Sequence, residues 1–140
     1  MKKILTILAL IATLFAADNS DFNEIDQEDI PKVLSIIKDG TKDNLPIMLD
    51  DYTTLFDIVT LQNVIEYRNR IDSNNEHLKK LLKENKPALI QTTFENNRNY
   101  LCSDSEIRYL LKKGAIFTYI FFDLNNKELF KFSVHASDCP

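Results

Sequence analysis

The chain has 140 residues, with 17 Lys plus Arg against 21 Asp plus Glu, a net charge of −4. Its 44% hydrophobic and 27% charged residues suit one folded domain, excluding a collagen-like or wholly disordered chain and, at this length, a second domain. Two Gly exclude a glycine-rich phosphate loop, and the acidic balance argues against nucleic acid as a partner.

Met1-Lys2-Lys3 is a short basic start, Ile4 to Phe15 carries no charge, and Ala16-Ala17-Asp18 follows. This is the tripartite pattern of a secretory signal peptide. The apolar run spans about 18 Å as a helix, well short of a ~30 Å hydrocarbon core, so a retained anchor is the weaker reading. Cleavage after Ala16 leaves Leu14 at the −3 position, and cleavage after Ala17 leaves Phe15 there; the first is preferred. No Cys follows the run directly, so a lipid-bearing N-terminal Cys is not expected. The expected organisation is a signal peptide over 1–16 and a single α+β domain over 17–140, periplasmic or secreted and not inserted in a membrane. Cleavage leaves 15 basic against 21 acidic side chains, a net charge of −6.

Residues 17–24 are polar and acidic and read as a loose lead. The stretch 26–39 has helical spacing, with Pro31 in the first turn, an apolar face of Val33, Leu34, Ile36 and Ile37, and Gly40 as the stop. Pro46 confines the run 45–49 to an edge strand or a strand start. The stretch 53–61 alternates, with Leu55, Val59 and Leu61 on one face and Phe56 and Ile58 on the other. Gln62-Asn63 turns it into 64–71, which makes a β-hairpin.

Ser73 to Glu76 reads as a capping box opening a helix with Leu78, Leu81 and Leu82 inward. Pro87 starts a further helix that buries Leu89, Ile90, Thr93, Phe94 and Leu101. A second box over Ser103 to Glu106 opens a helix with Ile107, Leu110 and Leu111 inward, and Gly114 ends it. The strand 115–124 and its partner 128–135, joined at Asn125-Asn126-Lys127, form a second hairpin. The expected fold is α+β: an antiparallel sheet of about four strands in two hairpins, packed on three to four helices.

Cys102 and Cys139 are the two cysteines of a chain with an export signal, and the simplest arrangement joins them in one disulfide. In the chain-entropy model such a bridge, closing a loop of about 38 residues, stabilises by roughly 4 kcal/mol. The rival is a reactive thiol with His135 as base, but no third orienting group is marked. His77 and His135 lack ligand spacing and read as surface residues. Asp50-Asp51 with Asp57, or Glu66 near Asp72, could form a carboxylate pair; with 21 acids such coincidences are expected, and Asp50 followed by Thr53 is better read as a turn. No catalytic, cofactor or metal residue is assigned. Phe117, Tyr119, Phe121, Phe122, Phe130 and Phe132 read first as core and cross-strand pairs, and otherwise as a candidate binding surface, because both faces of 116–122 are apolar.

The order Leu45-Pro46-x3-Asp50-x2-Thr53-x-Leu55, Tyr67, Cys102-x5-Arg108-x-Leu110-Leu111-x2-Gly114-x4-Tyr119-x3-Asp123 and Phe132-x-Val134-x3-Asp138-Cys139 resembles small exported bacterial proteins of uncharacterised function. Asn69 stands where that resemblance implies a second aromatic. It implies export, paired cysteines and an aromatic C-terminal hairpin, with no enzyme activity. The stretch 111–127 also resembles the C-terminal hairpin of Spackle-type phage inhibitors of periplasmic lysozyme. The expected function is a non-enzymatic exported module that binds a protein partner. The alternatives are an inhibitor or immunity factor against a cell-wall hydrolase, whose basic surface an acidic chain would steer toward, and a small thiol-dependent enzyme.

Overall fold

The computed structural model describes residues 29–140. The expected signal peptide over 1–16 and the acidic lead over 17–24 lie outside the described residues.

Helix α1 spans Ile30–Lys42, with Pro31 in its first turn, where a missing N–H costs nothing. It buries Ile30, Leu34, Ile37 and Thr41. Ile36, expected on the apolar face, is 60% exposed. The helix also runs through Gly40 instead of stopping there. Thr41 is buried and its Oγ1 donates to the Ile37 carbonyl at 3.1 Å. Packing of the last turn thus outweighs the local breaker.

Strand β1 (Ile47–Met48) and β2 (Thr53–Leu61) are joined by a turn in which the Tyr52 N–H donates to Asp50 Oδ1 at 2.7 Å. The motif Leu45-Pro46, Asp50, Thr53 therefore builds the edge of the sheet. Gln62, at φ 53°, turns β2 into β3 (Val64–Ile71), which buries Ile65, Tyr67, Asn69 and Ile71 in strict alternation. Helices α2 (Glu76–Glu84), α3 (Lys86–Ser103) and α4 (Ser105–Lys112) follow. Strands β4 (Ile116–Phe122) and β5 (Glu128–Val134) and a 3₁₀ turn (Ala136–Asp138) complete the chain.

The five strands lie in the order β1-β2-β3-β4-β5. The two expected hairpins are present, but they are joined by a parallel β3–β4 pairing that runs from Val64 opposite Ile116 to Arg70 opposite Phe122. The sheet is thus five-stranded and mostly antiparallel, close to the expected about four strands, and departs from the expectation in its one parallel seam. The physical reason is the long helical crossover from residue 72 to 115, which returns the chain to the end of the sheet where β3 began.

The core lies between one face of the sheet and the helices. Tyr67 and Tyr119 stack at 5.3 Å, Phe121 on Phe130 at 4.5 Å, and Phe94 of α3 meets Phe132 of β5 edge-on at 5.6 Å. The helix starts fall one or two residues later than the expected Ser caps. Asn75 Oδ1 accepts from the His77 and Leu78 N–H groups, and Asp104 Oδ1 accepts from those of Glu106 and Ile107, all at 3.0–3.1 Å. Ser73 Oγ instead accepts from the Leu124 N–H, and Ser103 ends α3.

Candidate functional site

Strand alternation sends every second side chain of β2 to β5 away from the helices. No described helix lies over that second face, and its residues line up in rows across the strands. Leu61, Val64 and Ile116 form an apolar row. Val59, Glu66, Thr118 and Ser133 form the next, with Thr118 and Ser133 hydroxyls 2.8 Å apart. Asp57, Arg68, Ile120 and Lys131 follow, and then Arg70 with Phe122.

Two β-bulges shape the last row. Register slips between Leu55 and Asp57, so Phe56 is an extra residue in β2; it slips again between Phe121 and Phe122, so Leu129 is extra in β5. The first bulge resets the phase of β2. Leu55 and Ile58 both enter the core, and Phe56, Asp57 and Val59 face outward. This corrects the expected faces, in which Leu55, Val59 and Leu61 were grouped; Leu61 is 73% exposed. A bulge re-aims a side chain, and here it sets Phe56 edge-on to Phe122 at 5.7 Å. The Arg70 guanidinium lies 4.3 Å over the Phe56 ring, and its Nη2 donates to Asn126 Oδ1 at 2.7 Å. Arg70 Nε is shielded from solvent without an acceptor among the described residues. Beside it, Arg68 takes Glu66 at 2.7 Å and Asp57 at 3.8 Å.

The six aromatics named as a candidate surface divide. Phe117, Tyr119, Phe121 and Phe130 are buried in the core and offer no surface. Phe132 is half-buried on the same side, against Phe94. Only Phe122 belongs to the open face. The reading of both faces of β4 as apolar is correct, but the larger rings all took the helix side. Phe56 and Arg70 were missed. Their signal was Asp57: in an unbroken strand it would share the buried phase of Leu55, and an acid in that position marks a bulge.

Cys102 and Cys139 are bonded, with Cα atoms 5.4 Å apart. The bridge occupies both sulfurs, which removes the nucleophile that a thiol mechanism requires. His77 and His135 are exposed. Glu66 is held by Arg68, and Asp72 accepts from the Asn74 N–H beyond the end of β3, so they form no pair. Asp57 Oδ1 accepts from the Ile58 N–H inside the bulge. Among the described residues no three His, Cys, Asp or Glu side chains gather, and no helix is long and apolar enough to cross a membrane.

No family profile and no curated protein matches this sequence. Solved structures do match. A candidate secreted protein of Pseudomonas aeruginosa is similar with a TM-score of 0.66 at 17% identity, over 81% of this chain and 96% of that one. The pilotin EpsS of the Vibrio vulnificus type II secretion system gives 0.65 at 16%, over 81% and 96%. The type II secretion pilotin AspS of Vibrio cholerae gives 0.60 at 12%, over 81% and 94%. The chain therefore has the fold that these pilotins share. At such identities the likeness is one of fold.

Proposed function

We propose that this protein is an exported, non-enzymatic accessory of the pilotin kind, which binds a protein partner through the open face of its sheet. The observation that carries the reading is the face left open among the described residues: one apolar row, rows of mixed charge and an oriented arginine on a scaffold that matches secretion pilotins over nearly their whole length. A face of mixed apolar and charged side chains suits a protein surface better than a small substrate. The signal-peptide pattern and the disulfide fit an oxidising compartment outside the cytoplasm.

A photo-crosslinking side chain placed at Leu61 or at Lys131, both exposed on this face, tests the reading in cells that export the protein. The expected result is one adduct from either position and none from exposed Gln91 of α3. A secretion-channel component in the adduct supports the accessory role. A cell-wall hydrolase in the adduct, inhibited by excess purified protein, would replace it with the inhibitor reading. Adducts from Gln91 alone would move the binding surface to the helices.

A further inference from the structure

We propose that Arg70 is the anchor for an acidic side chain of the partner, so that the open face selects a segment whose carboxylate is flanked by apolar residues. The inference rests on the open face being the binding surface.

The charges of this face are unequally satisfied. Arg68 holds both central acids, Asp57 and Glu66. Arg70 and Lys131 make no ion pair among the described residues, and Glu128 stands exposed at the rim beyond Phe122. Arg70 is therefore a cation on this face with no carboxylate bound to it among the described residues, although the face as a whole is balanced in charge. Arg70 is also fixed. Phe56 supports one side of the guanidinium and Asn126 takes one N–H of Nη2; Nε is closed to solvent and so to a partner, which leaves Nη1 and the second N–H of Nη2 as the donors on offer. A sheltered, oriented guanidinium binds a planar carboxylate through paired N–H bonds, and little side-chain freedom is left to lose. Around it, Phe56 and Phe122 offer apolar contact, so a carboxylate with apolar neighbours matches the chemistry on offer. Arg68, already neutralised, makes no such match.

A phage-displayed library of random short peptides, panned on the mature protein and on its Arg70→Gln variant, tests this. Wild type is expected to enrich peptides with Asp or Glu beside apolar residues, and Arg70→Gln to retain the apolar preference but lose the acid. A synthetic peptide from the winning set should bind Arg70→Gln about tenfold more weakly. The same peptide with its acid replaced by the amide should lose a similar factor on wild type, a comparison that needs no change to the protein. Arg70→Lys should recover part of the loss, since charge remains but the planar fork does not. Winners that bind the open face without an acidic preference would overturn the role of Arg70 and leave the face standing. Winners that bind equally well when Thr118→Arg obstructs the middle of the face, or the absence of any winner, would overturn the face itself.

Discussion

Tyr67 and Tyr119 stand side by side on neighbouring strands, fully buried, with hydroxyls that find no partner among the described residues. Burial pushes both phenols well above their usual range, and each neighbouring tyrosine adds to the shift, Tyr119 on Tyr67 and Tyr100 on Tyr119. The unfolded chain ionises near pH 10, while the folded chain keeps these protons, so the folded state binds more protons and loses stability as pH rises above about 10. Each buried tyrosine should contribute about 1.4 kcal/mol per pH unit to that fall. Absorbance titration should show two phenols that ionise only as the chain unfolds, and Tyr67→Phe with Tyr119→Phe should remove the steep alkaline loss. Near pH 7 the double variant should be as stable as wild type or up to roughly 1 kcal/mol more stable, because each lost hydroxyl was desolvated without a protein bond. The sequence named Tyr67 and Tyr119 as pattern positions, but nothing in it told a core phenol from a surface one; that depended on which face the helices covered.

The junction between α3 and α4 turns on Asp104, which closes one helix with its N–H on the Tyr100 carbonyl and opens the next with its carboxylate. Its extended backbone, φ −82° and ψ 119°, is what aims the oxygen at two N–H groups. Asp104→Ala should cost about 1–2 kcal/mol in thermal or urea unfolding, and Asp104→Asn much less. Loss of equal size in the Asn variant would contradict the capping role. The helix itself was legible from its apolar spacing and from Gly114, which takes φ 105° at its end. Its first residue was not, because Ser103 and Asp104 are both good caps and only the backbone turn decides between them. The β2 strand was legible as a strand for the same reason of pattern. Its bulge was not, since one extra residue reverses the phase of everything after it. The candidate site lies at that bulge, so Phe56 and Arg70 were the residues least readable in advance.

At the scale of the whole molecule, Cys102–Cys139 ties the last turn of α3, within the helical crossover, to the segment after β5, across a sequence separation of 37. Cys102→Ala with Cys139→Ala should lower stability by about 2–4 kcal/mol while preserving the circular dichroism of the folded chain. No change in the unfolding midpoint would mean the bridge is not formed in the exported protein. The bridge was readable from composition and the export pattern together. The parallel seam was not: two hairpins separated by helices fit an antiparallel sheet equally well, and strand order depends on contacts between residues about fifty positions apart.

That seam also dictates a timetable. Each hairpin can close on neighbours a few residues away, and α4 can coil on its own capping signals, but β3 must wait for β4 through the entire length of the crossover. High contact order is concentrated in one join, where loop closure precedes any reward from pairing. A chain emerging from its N-terminal end therefore carries the β2–β3 hairpin with an unpaired central strand until the last 25 residues begin to arrive, since β4 starts at Ile116 of 140. During that interval Tyr67 and Asn69, later fully enclosed, belong to an open edge that other strands could join.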